Sequence, residues 1–506
     1  MLNSVNFSGR PFHFIGIGGI GMSALAHVLA SRNLPVSGSD LRLSHITDRL
    51  KAQGAHIFNQ QQAENLEFFT QAGVDSSSSA ASGSAASGSA DSGSAASVNQ
   101  AHLLPQVVCS TAIGESNAEY RAAVAMGCPI LHRSDVLAAL MNERKGIAIA
   151  GTHGKTTSSS ITGYLLLKAG IDPTIIIGGE VSAWSGNAYV GKSDYVVAEA
   201  DESDGSLVKL SSHIGVITNI ELDHPDHYIN LDQVVAIFER FGSQCGTVIG
   251  SLDCPTVRDR ISLDISYSLQ ADSGADYIAT DIDERAEALT ATIWEYGEKL
   301  GELSVPLLGL HNLSNTLAAV AVARRLGVSF AAIVAHLPSF QGARRRFEQR
   351  GLHNDILFID DYAHHPSEIR ATLAAAQVQR QAVLPSGRSR RVVAVFQPHR
   401  YSRTATLLDE FATAFADVDR LLVTDIYSAG ETNTANIQGE QVAQAIAQHQ
   451  PNTEYYSTLE GIKQTLETSL TPGDIVIFLT AGNLNQIIPE VMAAYQSVPQ
   501  PEAALM

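Results

Sequence analysis

Residues 147–157 read IAIAGTHGKTT, an apolar run cut off by glycine and followed at once by lysine and two threonines. That order predicts a buried strand, a tight loop and a helix start. The unpaired N–H groups of the loop and first helical turn then form an anion cradle. The full phosphate-loop pattern, G-x-x-x-x-G-K-[ST], wants glycine at 149. Ile149 stands there instead, and Gly151 opens a shortened G-x-x-G-K-T-T. Gly151, Thr152, His153, Gly154, Lys155, Thr156 and Thr157 are therefore candidate ATP contacts. Backbone amides would cradle phosphates, Lys155 would reach the β/γ oxygens and Thr156 would ligate Mg²⁺. A loop of this kind needs a parallel sheet with helices on its faces, so an α/β fold is predicted.

A second glycine loop lies near the start of the chain. In FIGIGGIGMSA, Gly16, Gly18 and Gly21 form G-x-G-x-x-G, and Asp40 follows where a second strand should end. The glycines let the backbone approach a diphosphate at a helix N-terminus, and the acid can meet a ribose hydroxyl. The pattern does not choose between NAD and another diphosphate such as a UDP-sugar.

A metal–phosphate site also needs an acid at the end of a neighbouring strand. YVVAEADESDGS offers Glu199, Asp201, Glu202 and Asp204; Glu199 is nearest the strand end and is the expected ligand, the others reading as capping or solvated acids. ITNIELDHPDHY ends another strand with Asp223, His224, Asp226 and His227, a mixture of imidazole and carboxylate that can hold a metal.

The 506 residues imply about three domains at roughly 150 residues each. Short Val/Ile-rich runs recur to the end of the chain, among them DILFIDDY, RVVAVFQP, DRLLVTDIY and DIVIFLTAG. Boundaries are expected in MNERKG and QGARRRFE, giving domains 1–143, 144–341 and 342–506. Residues 75–97 are almost wholly Ser, Ala and Gly, too poor in apolar surface to order themselves, and are expected to form a disordered insertion in the first domain. A net charge of −19 argues against a nucleic-acid partner, since basic surface dominates such affinity. Cys109, Cys128, Cys245 and Cys254 form no CxxC pair and are expected to be reduced thiols. No apolar run reaches the roughly 18 residues that span a bilayer, and the N-terminus lacks a signal-peptide core, so a cytoplasmic protein without a membrane partner is expected.

GIGGIGMSALA, AGTHGKTT, EADESDGS, TNIELDHPDHY, LLGLHNLSNTLAA, GARRRFE, DDYAHHPSEI, FQPHRYSRT and DIYSAGE occur in this order. Together they resemble the Mur ligase family over about residues 10–490, and within it the branch that adds L-alanine. The resemblance implies a Rossmann-like first domain for the UDP-sugar, a P-loop ATPase-like central domain and a Rossmann-like third domain for the amino acid. It implies ligation of L-alanine to the lactyl carboxylate of UDP-N-acetylmuramate through an acyl phosphate, in peptidoglycan precursor synthesis, with ATP as co-substrate and Mg²⁺ as cofactor. A monomer or weak homodimer is expected.

By the same resemblance, Gly16, Gly18, Gly19, Gly21 and Asp40 belong to the UDP-sugar. Thr156 and Glu199 would hold one Mg²⁺ and His224 a second. Asn312 and Asn315 would lie near adenine, with a structural hydrogen bond equally open for His311. Asp360, Asp361 and Tyr362 would touch the nucleotide from the third domain. Lys155, Glu199, His224 and Arg400 form the catalytic set. Arg400 is the candidate for the alanine carboxylate and Arg403 the alternative. Arg344, Arg345 and Arg346 read as a solvated hinge, with one of them facing phosphate as the open alternative, and of His364 and His365 one would line the site while the other packs. Asn483 stands where this branch usually carries aspartate. The runner-up function is a recycling ligase that attaches a preformed tripeptide to the same sugar nucleotide. An NAD-dependent oxidoreductase or a non-catalytic nucleotide switch leaves several of these motifs unexplained.

Overall fold

The structure, a computed structural model, describes residues 4–69, 104–286, 288–381 and 390–496. The Ser/Ala/Gly stretch 75–97 lies outside the described residues. Three sheets organise the chain, each flanked by helices, and their inner strands are parallel.

The first sheet runs in the order His56–Phe58, Val36–Ser39, Phe12–Ile15, Gln106–Cys109, Ile130–His132, with every pair parallel. That 3-2-1-4-5 order is the open, doubly wound arrangement. All four residues of FHFI are buried, as a strand covered on both faces requires. The ligand end of this sheet is where Phe12–Ile15 turns into the helix Ile20–Ser31.

The second sheet has ten strands. From one edge come Glu298–Val305, Leu289–Glu295, Tyr277–Glu284, Ile265–Ser268, Val248–Ser251, Ile214–Ile217 and Lys145–Ala150, followed by Tyr195–Glu199, Thr174–Val181 and Gly186–Tyr189. The pairs from Tyr277–Glu284 inward to Lys145–Ala150 are parallel, and the two edge pairs beyond are antiparallel hairpins.

The third sheet orders Glu348–His353, Ile356–Asp361, Asp474–Leu479, Arg391–Phe396, Arg420–Thr424 and Thr453–Tyr456, parallel except for its first pair. Two apolar clusters cover its opposite faces, one built on Phe396, Phe411 and Phe415 and the other on Phe358 and Phe478. Burial on both sides is why RVVAVF and DIVIFL are continuous hydrophobic runs and do not alternate.

The expected α/β class with three mainly parallel sheets is what the chain adopts. Packing divides it into two compact units, however. One is Met1–Lys145 with Pro173–Gly178 and Asn187–Val196; the other is Gly146–Asp172, Gly179–Gly186 and Val197–Met506. The P-loop strand and the whole third sheet thus belong to one body.

Candidate active site

The strand Lys145–Ala150 delivers the loop 151–154 to the N-terminus of the helix Lys155–Lys168. Ile149 is fully buried within that strand, which explains why the loop opens two residues later than the full pattern. Both loop glycines are obligatory. Gly151 has φ +136°, and a Cβ there would sit 2.0 Å from Thr218 Oγ1; Gly154 has φ +82°, and its Cβ would meet Asn315 Oδ1 at 2.3 Å.

Lys155 Nζ donates to the carbonyls of Gly151 (2.6 Å) and Thr152 (3.0 Å) and pairs with Glu202, 2.8 Å from Oε2. Burial alone would lower the Lys155 pKa, but Glu202, Asp201 and Glu199 outweigh it and hold the ammonium charged. Glu202 is 1% exposed. Its place in the loop's chemistry corrects the expectation of a capping or solvated acid: an alternating strand-end cluster cannot show which acid turns inward. Thr156 Oγ1 donates to Glu199 Oε2 at 2.9 Å, bringing together the two residues expected to share a metal. Arg346 Nη2 lies 3.4 Å from the same hydroxyl. One arginine of the expected hinge run therefore reaches the phosphate loop, and the charge run alone did not show which of the three it would be.

After the strand Ile214–Ile217, Asp223 and His224 return toward this lysine. His224 has φ +55°, and its Nε2 is 3.8 Å from Glu202 Oε1 and 3.6 Å from Asp223 Oδ2. Burial, reinforced by Arg403 and Lys155, lowers its pKa, so the imidazole is neutral and able to ligate. Asp223 accepts two hydrogen bonds from Arg403, Nε at 2.7 Å and Nη2 at 3.2 Å. Arg403 is 2% exposed, its guanidinium committed to that carboxylate. Arg400 is half-buried and Nη1 binds Asp226 (2.8 Å) and Glu431 (3.1 Å).

A cavity of about 410 Å³ adjoins the loop, lined by His153, Gly154 and Thr157, by His311, Asn312 and Asn315 on the helix Leu310–Arg325, and by Phe347, Asp361 and Glu368. Ser158 Oγ donates to Asn315 Oδ1 (3.1 Å), locking that helix against the P-loop helix. Burial lowers His311 to about 4, leaving it neutral. Asp361 is pushed up to about 6 by burial while accepting N–H bonds from Phe347 (2.6 Å) and Ala363 (2.7 Å). Its strand neighbour Asp360, expected beside the nucleotide, instead pairs with Arg345 and Arg350 away from the cavity lining, as alternation along Ile356–Asp361 dictates. Tyr362 stacks beneath Arg345 and Arg346, 4.8 and 5.2 Å from its ring centre. His364 N donates to Glu368 Oε2 (3.0 Å) while its Nδ1 bonds the Tyr362 carbonyl (2.9 Å), and His365 caps the helix Pro366–Arg380. Asn483 Oδ1 accepts from Gln397 Nε2 (2.9 Å), a neutral acceptor serving where the branch usually carries an acid.

In the first sheet, Gly16 (φ +81°) and Ile17 donate to Ser39 O at 2.8 and 3.0 Å. Asp40 Oδ2 accepts from Gly18 N at 2.9 Å, which ties the acid to the glycine loop itself. Gly19 caps the helix Ile20–Ser31, and Gly21 lies in its first turn near Arg133. A cavity of about 510 Å³ opens here between Gly16 and Asp40 on one side and Arg42, Gln61 and Asn117 on the other. The last three are polar residues outside any motif, so nothing in the sequence marked them.

Three family-model matches tile the chain: "Mur ligase family, catalytic domain" over residues 11–145, "Mur ligase middle domain" over 149–323 and "Mur ligase, glutamate ligase domain" over 345–482. A UDP-N-acetylmuramate–L-alanine ligase of Nostoc punctiforme is 59% identical over 98% of both chains. The enzyme of that name from Trichormus variabilis is 58% identical over 97% of this chain and 98% of its own. Among solved structures, a UDP-N-acetylmuramate–alanine ligase from Thermotoga maritima superposes with a TM-score of 0.76 at 25% identity, covering 96% of this chain and 99% of the other. A murein peptide ligase from Psychrobacter arcticus shares the fold at a TM-score of 0.67 and 22% identity, over 97% of this chain and all of the other. Two glycine cradles on separate sheets, a lysine held between backbone carbonyls and a buried acid, and matches running nearly end to end lead to one assignment: the chain belongs to the Mur ligase family.

Proposed function

We infer that this chain is an ATP-dependent, ADP-forming ligase that joins L-alanine to the lactyl carboxylate of UDP-N-acetylmuramate in peptidoglycan precursor synthesis. The observation that carries this reading is near-complete identity of extent: relatives bearing that activity in their names match at 59% and 58% with no domain missing on either side. A first domain over 1–143 takes the sugar nucleotide, a second over 144–341 takes ATP, and a third over 342–506 takes the amino acid.

The lactyl carboxylate oxygen attacks the γ-phosphorus of ATP, the bond to the β,γ-bridging oxygen breaks, and ADP leaves an acyl phosphate. The amine of L-alanine then attacks the acyl carbon, phosphate departs with the C–O electron pair, and the ammonium proton passes to solvent or a neighbouring base. The first step brings two anions together, so Lys155, held charged by Glu202, stabilises charge as it develops. Mg²⁺ fits the donors present: a threonine hydroxyl and a carboxylate 2.9 Å apart are hard oxygen ligands, and neutral His224 stands beside Glu202 and Asp223. Thr156 and Glu199 would hold one ion and His224 a second. When bound, the ions neutralise phosphate charge and polarise the γ-phosphoryl group. Arg400, on the surface of the third domain beside Glu431, remains the candidate for the alanine carboxylate, because a guanidinium binds a carboxylate through two parallel hydrogen bonds. Binding there requires it to exchange Asp226 for substrate.

Among the described residues no helix is long and apolar enough to cross a membrane. We take the protein to be a cytoplasmic monomer or weak dimer, which sedimentation velocity at micromolar concentration tests. Phosphate release from ATP and UDP-N-acetylmuramate decides the function. Turnover with L-alanine and none with the tripeptide is expected; preference for the tripeptide would give the recycling reaction instead.

A further inference from the structure

His153, Glu221 and His365 bring a nitrogen, an oxygen and a nitrogen within 4.8 Å of one another. His153 Nε2 is 3.3 Å and His365 Nδ1 3.8 Å from the same oxygen, Glu221 Oε2. A tetrahedral ion with bonds of about 2.1 Å has ligand–ligand edges of about 3.4 Å, so the two nitrogen–oxygen separations are already close to that spacing. The surroundings match as well. His153 Nδ1 faces Glu368 Oε1 at 3.3 Å, the carboxylate–histidine arrangement that orients ligating imidazoles. Ser367 Oγ donates to Glu221 Oε2 at 2.7 Å and fixes that carboxylate. His365 is 4% exposed, and its Nε2 has no hydrogen-bond partner. Its Nδ1, the nitrogen that faces Glu221, accepts the helix-capping hydrogen bond from Ser367 N at 3.2 Å, which a bound ion would replace.

We propose that His153, Glu221 and His365 form a binding site for a divalent transition-metal ion of the zinc class, separate from the Thr156–Glu199 Mg²⁺ site. Two imidazoles and one carboxylate select zinc, cobalt or nickel over magnesium, which prefers all-oxygen ligands. His153 and Glu221 also line the nucleotide cavity, so the fourth coordination position opens toward it. Metal entry displaces one proton, because His153 lies clamped between Glu221 and Glu368 as an imidazolium; the ion takes over that positive charge. Arg346, 3.9 Å from Glu368 Oε1, neutralises the outer carboxylate and leaves Glu221 for the metal. A bound ion would tie the P-loop segment to the start of the helix Pro366–Arg380 and obstruct nucleotide entry, making the site inhibitory. The inhibition part of this inference rests on the proposed ATP site; the binding part does not.

Titrating the full-length, chelator-treated protein with Co²⁺ in excess Mg²⁺ and without nucleotide tests it. One saturable Co²⁺ per chain is expected, with the visible ligand-field bands of a nitrogen–oxygen tetrahedral site and no thiolate charge-transfer band. Zn²⁺ should displace it stoichiometrically. His365→Asn keeps a helix-capping side chain and removes the imidazole, so it preserves the fold while weakening Co²⁺ binding at least tenfold. Glu368→Gln, acting through His153, should weaken it about 10–100-fold. His224→Ala should leave it unchanged. No saturable Co²⁺ binding, a thiolate band, or affinity unaffected by His365→Asn and Glu221→Gln would overturn the proposal.

Discussion

Lys155 is held by two loop carbonyls and one buried carboxylate, so its charge is placed before any substrate arrives. Removing it should cost the electrostatic stabilisation of a developing charge, on the order of 10²–10³ in kcat. Lys155→Ala is therefore expected to lower phosphate release by about that factor, while calorimetry still detects UDP-N-acetylmuramate; undiminished turnover would refute the role. His153 supplies a pH signature. Burial alone would lower it, but hydrogen bonds to Glu221 and Glu368 raise it from 6.5 to about 10. Its stabilisation is complete below pH 6.5 and vanishes as pH rises through about 10. Glu221 behaves oppositely: burial would raise it, yet His153 brings it from 4.5 to about 2, so its contribution is present above pH 4.5 and is lost as pH falls toward 2. The difference in unfolding free energy between wild type and His153→Gln should thus be large at pH 6 and shrink above pH 10. A pH-independent difference would show that the imidazolium pairing contributes nothing.

The P-loop is the element in which local sequence and geometry agree most closely. Its order of strand, glycines, lysine and helix was legible in IAIAGTHGKTT, because positive φ leaves glycine little competition at those positions. Gly154→Ala forces a Cβ into Asn315 and strains the helix cap, so it should weaken ATP binding at least tenfold with the sugar-nucleotide affinity unchanged. Equal loss of both affinities would indicate general unfolding. Elsewhere the element was legible and its partners were not. DDYAHHPSEI announces a strand running into a capped helix, yet alternation sends Asp360 to Arg345 and Arg350 and Asp361 to the cavity. Arg346 reads as one member of a basic run, and only the turn at Arg345 and Phe347, both at positive φ, aims it at Thr156.

Across the molecule, the P-loop segment and the third sheet belong to one compact unit, and Asp223–Arg403 is a buried ion pair between distant segments of that unit. Breaking a buried pair strands an uncompensated charge, costing about 3–5 kcal/mol. Arg403→Met should lower stability by that amount in denaturant titrations, and Asp223→Asn combined with it should recover part of the loss. A single-variant cost below about 1 kcal/mol would show that the pair is solvated and the interface weak. By itself the sequence determined the α/β class, both glycine loops and the family, because these follow from local order: apolar runs, turn residues and helix starts within a dozen positions. Tertiary structure alone decided that Glu202 and not a solvent-facing acid meets Lys155, that Arg403 is spent on Asp223, and that His153, Glu221 and His365 converge. Those groups lie tens to hundreds of residues apart, and burial and charge pairing across folded segments, which no local pattern encodes, select each partner.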